Sequence, residues 1–258
     1  MQLQALNAFS DNYIWCATGT DGTALVVDPG EAAPVLAAAD AGLRPSAILL
    51  THHHHDHIGG VEELLQRWPQ LRVFAPDDAR IGTATDVVAD GARFRAAGFE
   101  LEVIAVPGHT STHVAYFCAV PGGGALFSGD TLFSLGCGRL FEGSPLQMHQ
   151  SLSRLAVLPA STRLYCGHEY TLSNAAFARV VEPENAALAR RTQEAKHMRD
   201  NALPTLPSTL ESELACNPFL RCGQPAVQTA VAGRLGRQPA DEVEVFAELR
   251  RWKDGFSE

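Results

Sequence analysis

Along the first two-thirds of the chain, apolar residues fall in short runs, each closed by Gly, Pro, Asp or Asn. Such runs predict strands at Leu3–Ala8, Tyr13–Ala17, Ala24–Val27, Ala47–Leu50, Arg72–Ala75, Glu100–Val106, His113–Cys118, Ala125–Ser128 and Arg163–Cys166. Helical spacing interrupts them. Glu31–Ala41 is alanine-rich, and Val61, Leu64, Leu65 and Trp68 share one face of a predicted helix over Gly60–Trp68. Pro145–Leu158 follows Ser144, an N-cap residue type, with proline at the first helical position. After His168 the texture changes. Thr171–Val181, Pro183–Asn201, Ser208–Ala215, Pro225–Leu235 and Asp241–Lys253 all favour helix, and strand signals disappear. The pattern predicts an α/β domain over residues 1–168 and a small all-helical C-terminal domain over 169–258.

With 258 residues, 46% of them hydrophobic and 19% charged, the chain has the material for a sizeable core and the composition of a globular protein. Its formal net charge of -9 argues against a nucleic-acid partner, which calls for a basic surface. The six cysteines form no C-x-x-C pair and are too sparse for a disulfide-stapled domain, so free thiols in a reducing compartment are expected. The N-terminal stretch has no basic segment ahead of a long apolar core, and no apolar run approaches the ~20 residues of a membrane span. The expected setting is the cytoplasm, with no membrane partner.

The chemistry concentrates in His52-His53-His54-His55-Asp56-His57, directly after the apolar run Ile48-Leu49-Leu50. If the strand continues, residues i, i+2 and i+4 point one way, which groups His52, His54 and Asp56. His57 joins them as the chain turns toward Gly59-Gly60. Imidazole and carboxylate together suit zinc and related divalent ions. Three more candidates arrive singly on glycine-marked turns after predicted strands: His109 in Gly108-His109-Thr110, Asp130 in Gly129-Asp130-Thr131, and His168 in Gly167-His168-Glu169. His53 and His55 should point away and His113 should support its neighbours. Cys137 has no histidine partner in the sequence and is not expected to be a nucleophile.

The run Thr51–Gly60 resembles the signature of the metallo-β-lactamase superfamily, with the Gly-His-Thr, Gly-Asp and Gly-His-Glu turns in matching order. Within it, Gly136–Gly143, Asn217–Arg221, Asp11-Asn12-Tyr13 and the tail Leu249–Asp254 are similar to glyoxalase II, the hydroxyacylglutathione hydrolases. The resemblance implies an αββα sandwich and two divalent metal ions, zinc by default, with iron or manganese as alternatives. His52, His54 and His109 would hold the first, Asp56, His57 and His168 the second, and Asp130 would bridge them. Asp56 and Asp130 are then the catalytic carboxylates. It also implies that Arg139, Tyr170, Arg250 and Lys253 grip the glutathione part, and that Phe141 stands where some relatives carry a substrate-binding tyrosine.

Two divalent ions, two carboxylates and a bridging hydroxide leave the site with net positive charge, which favours a developing oxyanion. A thiol of pKa about 8.5 departs as thiolate without a strong general acid, whereas an amine needs a proton donor. The metal chemistry alone permits esters, lactams, lactones and phosphodiesters; it is the resemblance that implies hydrolysis of S-(D)-lactoylglutathione, a small-molecule glutathione thioester, by a monomeric enzyme. The alternatives are another enzyme of the same fold, such as a glutathione persulfide dioxygenase, and a non-catalytic metal-binding protein. A dioxygenase would not need Asp56, His57 and His168 as ligands, and a structural zinc site usually closes with four.

Overall fold

A computed structural model describes residues 2–120 and 123–256. In chain order the elements are β1 (Gln2–Ala8), β2 (Asn12–Thr18), β3 (Ala24–Val27), α1 (Ala33–Asp40), β4 (Pro45–Leu49), α2 (His55–Ile58), α3 (Val61–Arg67), β5 (Arg72–Pro76), β6 (Asp86–Val88), β7 (Arg93–Ala96), β8 (Phe99–Ala105), β9 (Val114–Val120) and β10 (Gly123–Gly129). There follow β11 (Leu132–Phe133), β12 (Gly136–Cys137), α4 (Pro145–Ala156), β13 (Arg163–Cys166), α5 (Thr171–Val181), α6 (Ala186–Asp200), β14 (Ser208–Thr209), α7 (Leu210–Cys216), a 3-10 turn at Pro218–Leu220, α8 (Pro225–Leu235) and α9 (Glu242–Asp254).

The described residues form two compact units that do not follow chain order. One takes in the residues up to Ala105 with Thr112–Gly129 and Tyr165–Glu169; the other takes in Val106–Ser111, Asp130–Leu164 and the residues from Tyr170 on. In the first, one sheet runs β1-β2-β3-β4-β5-β6, antiparallel through β3 and parallel beyond it. Every residue of β3 is buried, as a central strand covered on both faces requires. Val26, Ile48 and Val73 pack with Val35, Val61 and Leu64, so α1 and α3 cover that face. The second sheet, β7-β8-β9-β10 with β13, lies on the other face. Phe74 of β5 stacks on Phe94 of β7 at 4.2 Å. The hydroxyl of Tyr116 on β9 donates to the carbonyls of Leu50 (2.9 Å) and Phe74 (3.2 Å). Two sheets face to face, with α1 and α3 outside the first, are the layers of an αββα sandwich.

In the second unit, α4 opens with a capping box between Ser144 and Gln147. Leu135, Ala175, Ala178, Leu188 and Cys216 form a core shared by the β11–β12 turn, α5, α6 and α7. Thr209 caps α7 and Asp241 caps α9.

Two expectations need correction. The His52, His54 and Asp56 grouping does not come from strand alternation: β4 ends at Leu49, and His55–Ile58 is helix, with His54 at its N-cap. A tight loop and a helical turn gather these side chains instead. Strands also continue past His168, because Ser208–Thr209 pairs with Arg163–Leu164. Its two residues sit at the start of a stretch read as helix. β7 was hidden for another reason: its exposed face is charged, with Arg93 and Arg95 paired to Glu102 and Glu100 on β8.

Candidate metal centre

Three groups of side chains each bring their ligand atoms within 4.8 Å of one another: His52, His54 and His109; His52, His57 and Asp130; Asp56, His57 and His168. Four members follow strand ends, and His54, Asp56 and His57 come from the N-cap and the single turn of α2. His52 comes three residues after β4, His109 four after β8, Asp130 directly after β10 and His168 two after β13. Gly129 holds a left-handed φ of +48° next to Asp130, and a Cβ there would overlap Thr51 Oγ1 and crowd the His113 ring.

The imidazoles are oriented from behind. Asp28 Oδ2 lies 3.0 Å from His57 Nδ1, Asp11 Oδ1 lies 2.8 Å from His168 Nδ1, and the Arg139 carbonyl accepts from His109 Nδ1 at 2.9 Å. Each partner fixes the tautomer and turns Nε2 toward the site. Thr51 Oγ1 lies 3.0 Å from His52 Nδ1. Asp28 also accepts from Thr51 N–H (2.8 Å) and its hydroxyl (2.7 Å), locking the residue ahead of the cluster. Asn12 Nδ2 donates to Asp56 Oδ2 at 3.0 Å.

The spacing on the inner side tests the fit of a metal. His168 Nε2 lies 3.4 Å and His57 Nε2 3.6 Å from Asp56 Oδ2, and His109 Nε2 lies 3.5 Å from Asp130 Oδ2. These are longer than N–H···O bonds of about 2.7–3.2 Å. They equal the separation of two ligands each ~2.1 Å from one tetrahedral ion, roughly 3.4 Å. Imidazole and carboxylate donors with this spacing fit two divalent ions. Gly138 closes the same region: a Cβ on it would overlap the Asp130 carbonyl oxygen and approach His109 Nδ1 at 3.2 Å.

The remaining histidines are placed otherwise. His113 is buried and stacks on His52 at 4.6 Å and 18°, His53 Nδ1 lies 3.5 Å from Asp78, and His55 is exposed. All six cysteines are free and buried. Burial pushes the Cys137 thiol up to about 11, against the opposing pull of Arg250, so it holds its proton at neutral pH.

The four residues expected to grip substrate occupy different settings. Arg139 is exposed, with Nε 3.7 Å from Asp254 Oδ1. Arg250 is only 5% exposed; its Nη1 donates to the Cys137 carbonyl at 2.9 Å and its Nη2 meets the same Asp254 at 2.9 Å. Lys253 Nζ donates to the Ser173 carbonyl at 3.1 Å, and Tyr170 is partly exposed with its ring edge-on to Phe133. Phe141, 63% exposed, lies edge-on to His109 at 5.2 Å.

Sequence reasoning assigned no role to Asp11, Asn12, Asp28 or Thr51. Asp28 left a trace, an acidic residue directly after the buried run Leu25-Val26-Val27, and it adopts a φ of +50°.

Comparison with known proteins adds three findings. Residues 11–168 match the metallo-beta-lactamase superfamily, and residues 169–256 match the hydroxyacylglutathione hydrolase C-terminus. A hydroxyacylglutathione hydrolase of Xanthomonas euvesicatoria pv. vesicatoria is 60% identical over 257 residues, covering 99% of each chain. Among solved structures, the B3 metallo-β-lactamase BLEG-1 superposes with a TM-score of 0.64 at 22% identity, over 85% of this chain and 99% of its own. TTHA1623 in a di-iron-bound form gives a TM-score of 0.54 at 29% identity, over 65% and 92%.

Proposed function

From the premise that this chain belongs to the hydroxyacylglutathione hydrolase family of the metallo-β-lactamase superfamily, we propose that it hydrolyses S-(D)-lactoylglutathione to glutathione and D-lactate, the second step of methylglyoxal removal. It is a thioester hydrolase with a His/Asp metal cluster. The observation that carries the assignment to a two-metal centre is the ligand spacing, 3.4–3.6 Å from imidazole Nε2 to carboxylate oxygen on both sides of the cluster.

We assign His52, His54 and His109 to one ion, Asp56, His57 and His168 to the other, and Asp130 to both. Zinc is the proposed metal, although a relative of the same fold was solved with two irons. When bound, the ions supply Lewis acidity and a nucleophilic hydroxide at neutral pH. The protein's part is orientation. Asp28, Asp11 and the Arg139 carbonyl hold the imidazole rings, and Asn12 holds the Asp56 carboxylate. No acid is required for the leaving group, since a thiol of pKa about 8.5 leaves as thiolate.

Residues 1–168 are the proposed catalytic domain and 169–258 the proposed glutathione-binding domain. Arg139, Arg250 and Lys253 supply positive charge for the two glutathione carboxylates, and Tyr170 is a further proposed substrate contact. Phe141 brings no hydroxyl to the substrate. Arg250 acts there partly through Asp254 and Cys137, which its guanidinium already holds. The proposed working form is a cytoplasmic monomer with neither nucleic-acid nor membrane partner. No described helix is long and apolar enough to cross a membrane.

The test is loss of S-(D)-lactoylglutathione, with and without a chelator, beside a matched thioester lacking the glutathione moiety. Chelator-sensitive hydrolysis of the glutathione thioester alone is expected. A fully metallated sample that hydrolyses neither would overturn the proposal.

A further inference from the structure

Between Asp130 and Arg139 the chain makes one hairpin, β11 and β12, turning at Ser134-Leu135. Leu135 holds a φ of +60°, the left-handed region, while its side chain is fully buried. A bulky residue occupies that region only where its surroundings compensate the strain. The compensation comes from α7. Glu213, 0% exposed, accepts the Leu135 N–H at 2.7 Å and the Ser134 hydroxyl at 2.8 Å. Asn217 and Ser208 complete its four donors, at 3.2 and 2.6 Å. Four donors on two oxygens suit a carboxylate, which only accepts. Asn217 Nδ2 also donates to the Phe133 and Gly136 carbonyls, at 3.1 and 3.0 Å, and Asn174 Nδ2 donates to the Ser134 carbonyl at 3.1 Å. Most of this buried hub therefore grips the hairpin rather than the helices.

Both ends of the hairpin lead to the metal ligands. Asp130 lies two residues before β11. Two residues after β12, Arg139 offers the carbonyl that accepts from His109 Nδ1. Gly138, directly past β12, donates its N–H to the Thr131 carbonyl at 3.2 Å and lies flat against Asp130. We propose that Glu213 is a positioning residue for Asp130 and His109, acting through the strained turn at Leu135. The proposal rests on the two-metal reading above. It gives the helical segment a role in metal binding besides its proposed role toward glutathione.

The test measures zinc retained per chain, by mass spectrometry, after the zinc-loaded protein is dialysed against graded chelator, with thermal melting recorded alongside. Glu213→Met keeps the length of the side chain and removes the acceptor. It should release zinc at about tenfold lower chelator than wild type, as expected from ~1.4 kcal/mol lost around a buried N–H left without its acceptor. Glu213→Gln should stay near wild type, because its amide oxygen accepts from Leu135 while its NH2 donates to the two serine hydroxyls. Glu182 is the control: it is buried in the same unit but held by Arg221 at 2.8 and 2.9 Å. Glu182→Gln should melt lower and keep its zinc. If Glu213→Met does not fold, Glu213→Asp carries the test, its carboxylate drawn back from Leu135 and its zinc release shifted the same way. Wild-type retention in whichever of these two folds overturns the proposal. So does equal zinc loss in Glu182→Gln at a matched melting shift. A wild type that binds no zinc overturns the two-metal reading as well.

Discussion

The proposed ligands divide by what holds them from behind. His57, His168 and Asp56 are held by side chains, those of Asp28, Asp11 and Asn12. His109 is held by a backbone carbonyl, that of Arg139, at the end of a hairpin clamped by Glu213, Asn217 and Asn174. A side-chain partner can be changed at one position while the chain stays in place. A carbonyl partner cannot be deleted by substitution, so its precision depends on whatever holds that stretch of backbone. The first region is tuned residue by residue. The second is set by packing some 80 residues away in the sequence, where Glu213 meets Ser134 and Leu135.

Substitutions sharpen this contrast, and the largest effect is expected where both regions need the same group. Asp130→Ala removes the proposed shared ligand and should lower kcat by about a thousandfold, as expected for loss of several kcal/mol of electrostatic stabilisation; steady-state rates with metal counts check it. Gly138→Ala comes next. Its Cβ would overlap the Asp130 carbonyl, and displacing a reacting group by about 1 Å can cost roughly a hundredfold. Crystals of that variant should show the Asp130–Arg139 stretch shifted, with the Asp28–His57 pair unmoved. Asp28→Asn should cost about 10–100-fold in metal affinity by loosening His57 and Thr51 without moving the hairpin, read by chelator competition. The smallest effect belongs to Lys253→Ala, which should raise KM about tenfold at unchanged kcat if its charge meets substrate. A kcat loss there would instead tie Lys253 to the placement of α5 through Ser173.

Much of the centre was legible because its ligands carry their own chemistry. Histidine and aspartate beside glycine, directly after apolar runs, mark the strand ends whose side chains come together in the His/Asp cluster. The means of gathering was less legible. Strand alternation groups His52, His54 and Asp56 by the right spacing, but a loop and the helical turn His55–Ile58 deliver them. Four residues give no length for a helical period to emerge. The supporting residues left fainter traces still. Asp28 looks like an ordinary strand-end residue, and Asp11 and Thr51 stand only within family-like stretches without a role; their distances to imidazole nitrogens reveal their part. Glu213 was least visible: a glutamate within a predicted helix reads as solvated surface, and tertiary contacts from Ser134 and Leu135 bury it. Arg250, named from the resemblance for its charge, shows its burial and its bond to the Cys137 carbonyl only in the structure.

The central claim is a two-ion centre with seven protein ligands, and titration of the metal-stripped chain with zinc tests it most directly. Hydrolysis of S-(D)-lactoylglutathione, followed against equivalents of zinc added, should rise to a plateau at two ions per chain. A plateau at one ion, with no further zinc bound, would contradict the account and leave Asp56, His57 and His168 without the metal assigned to them.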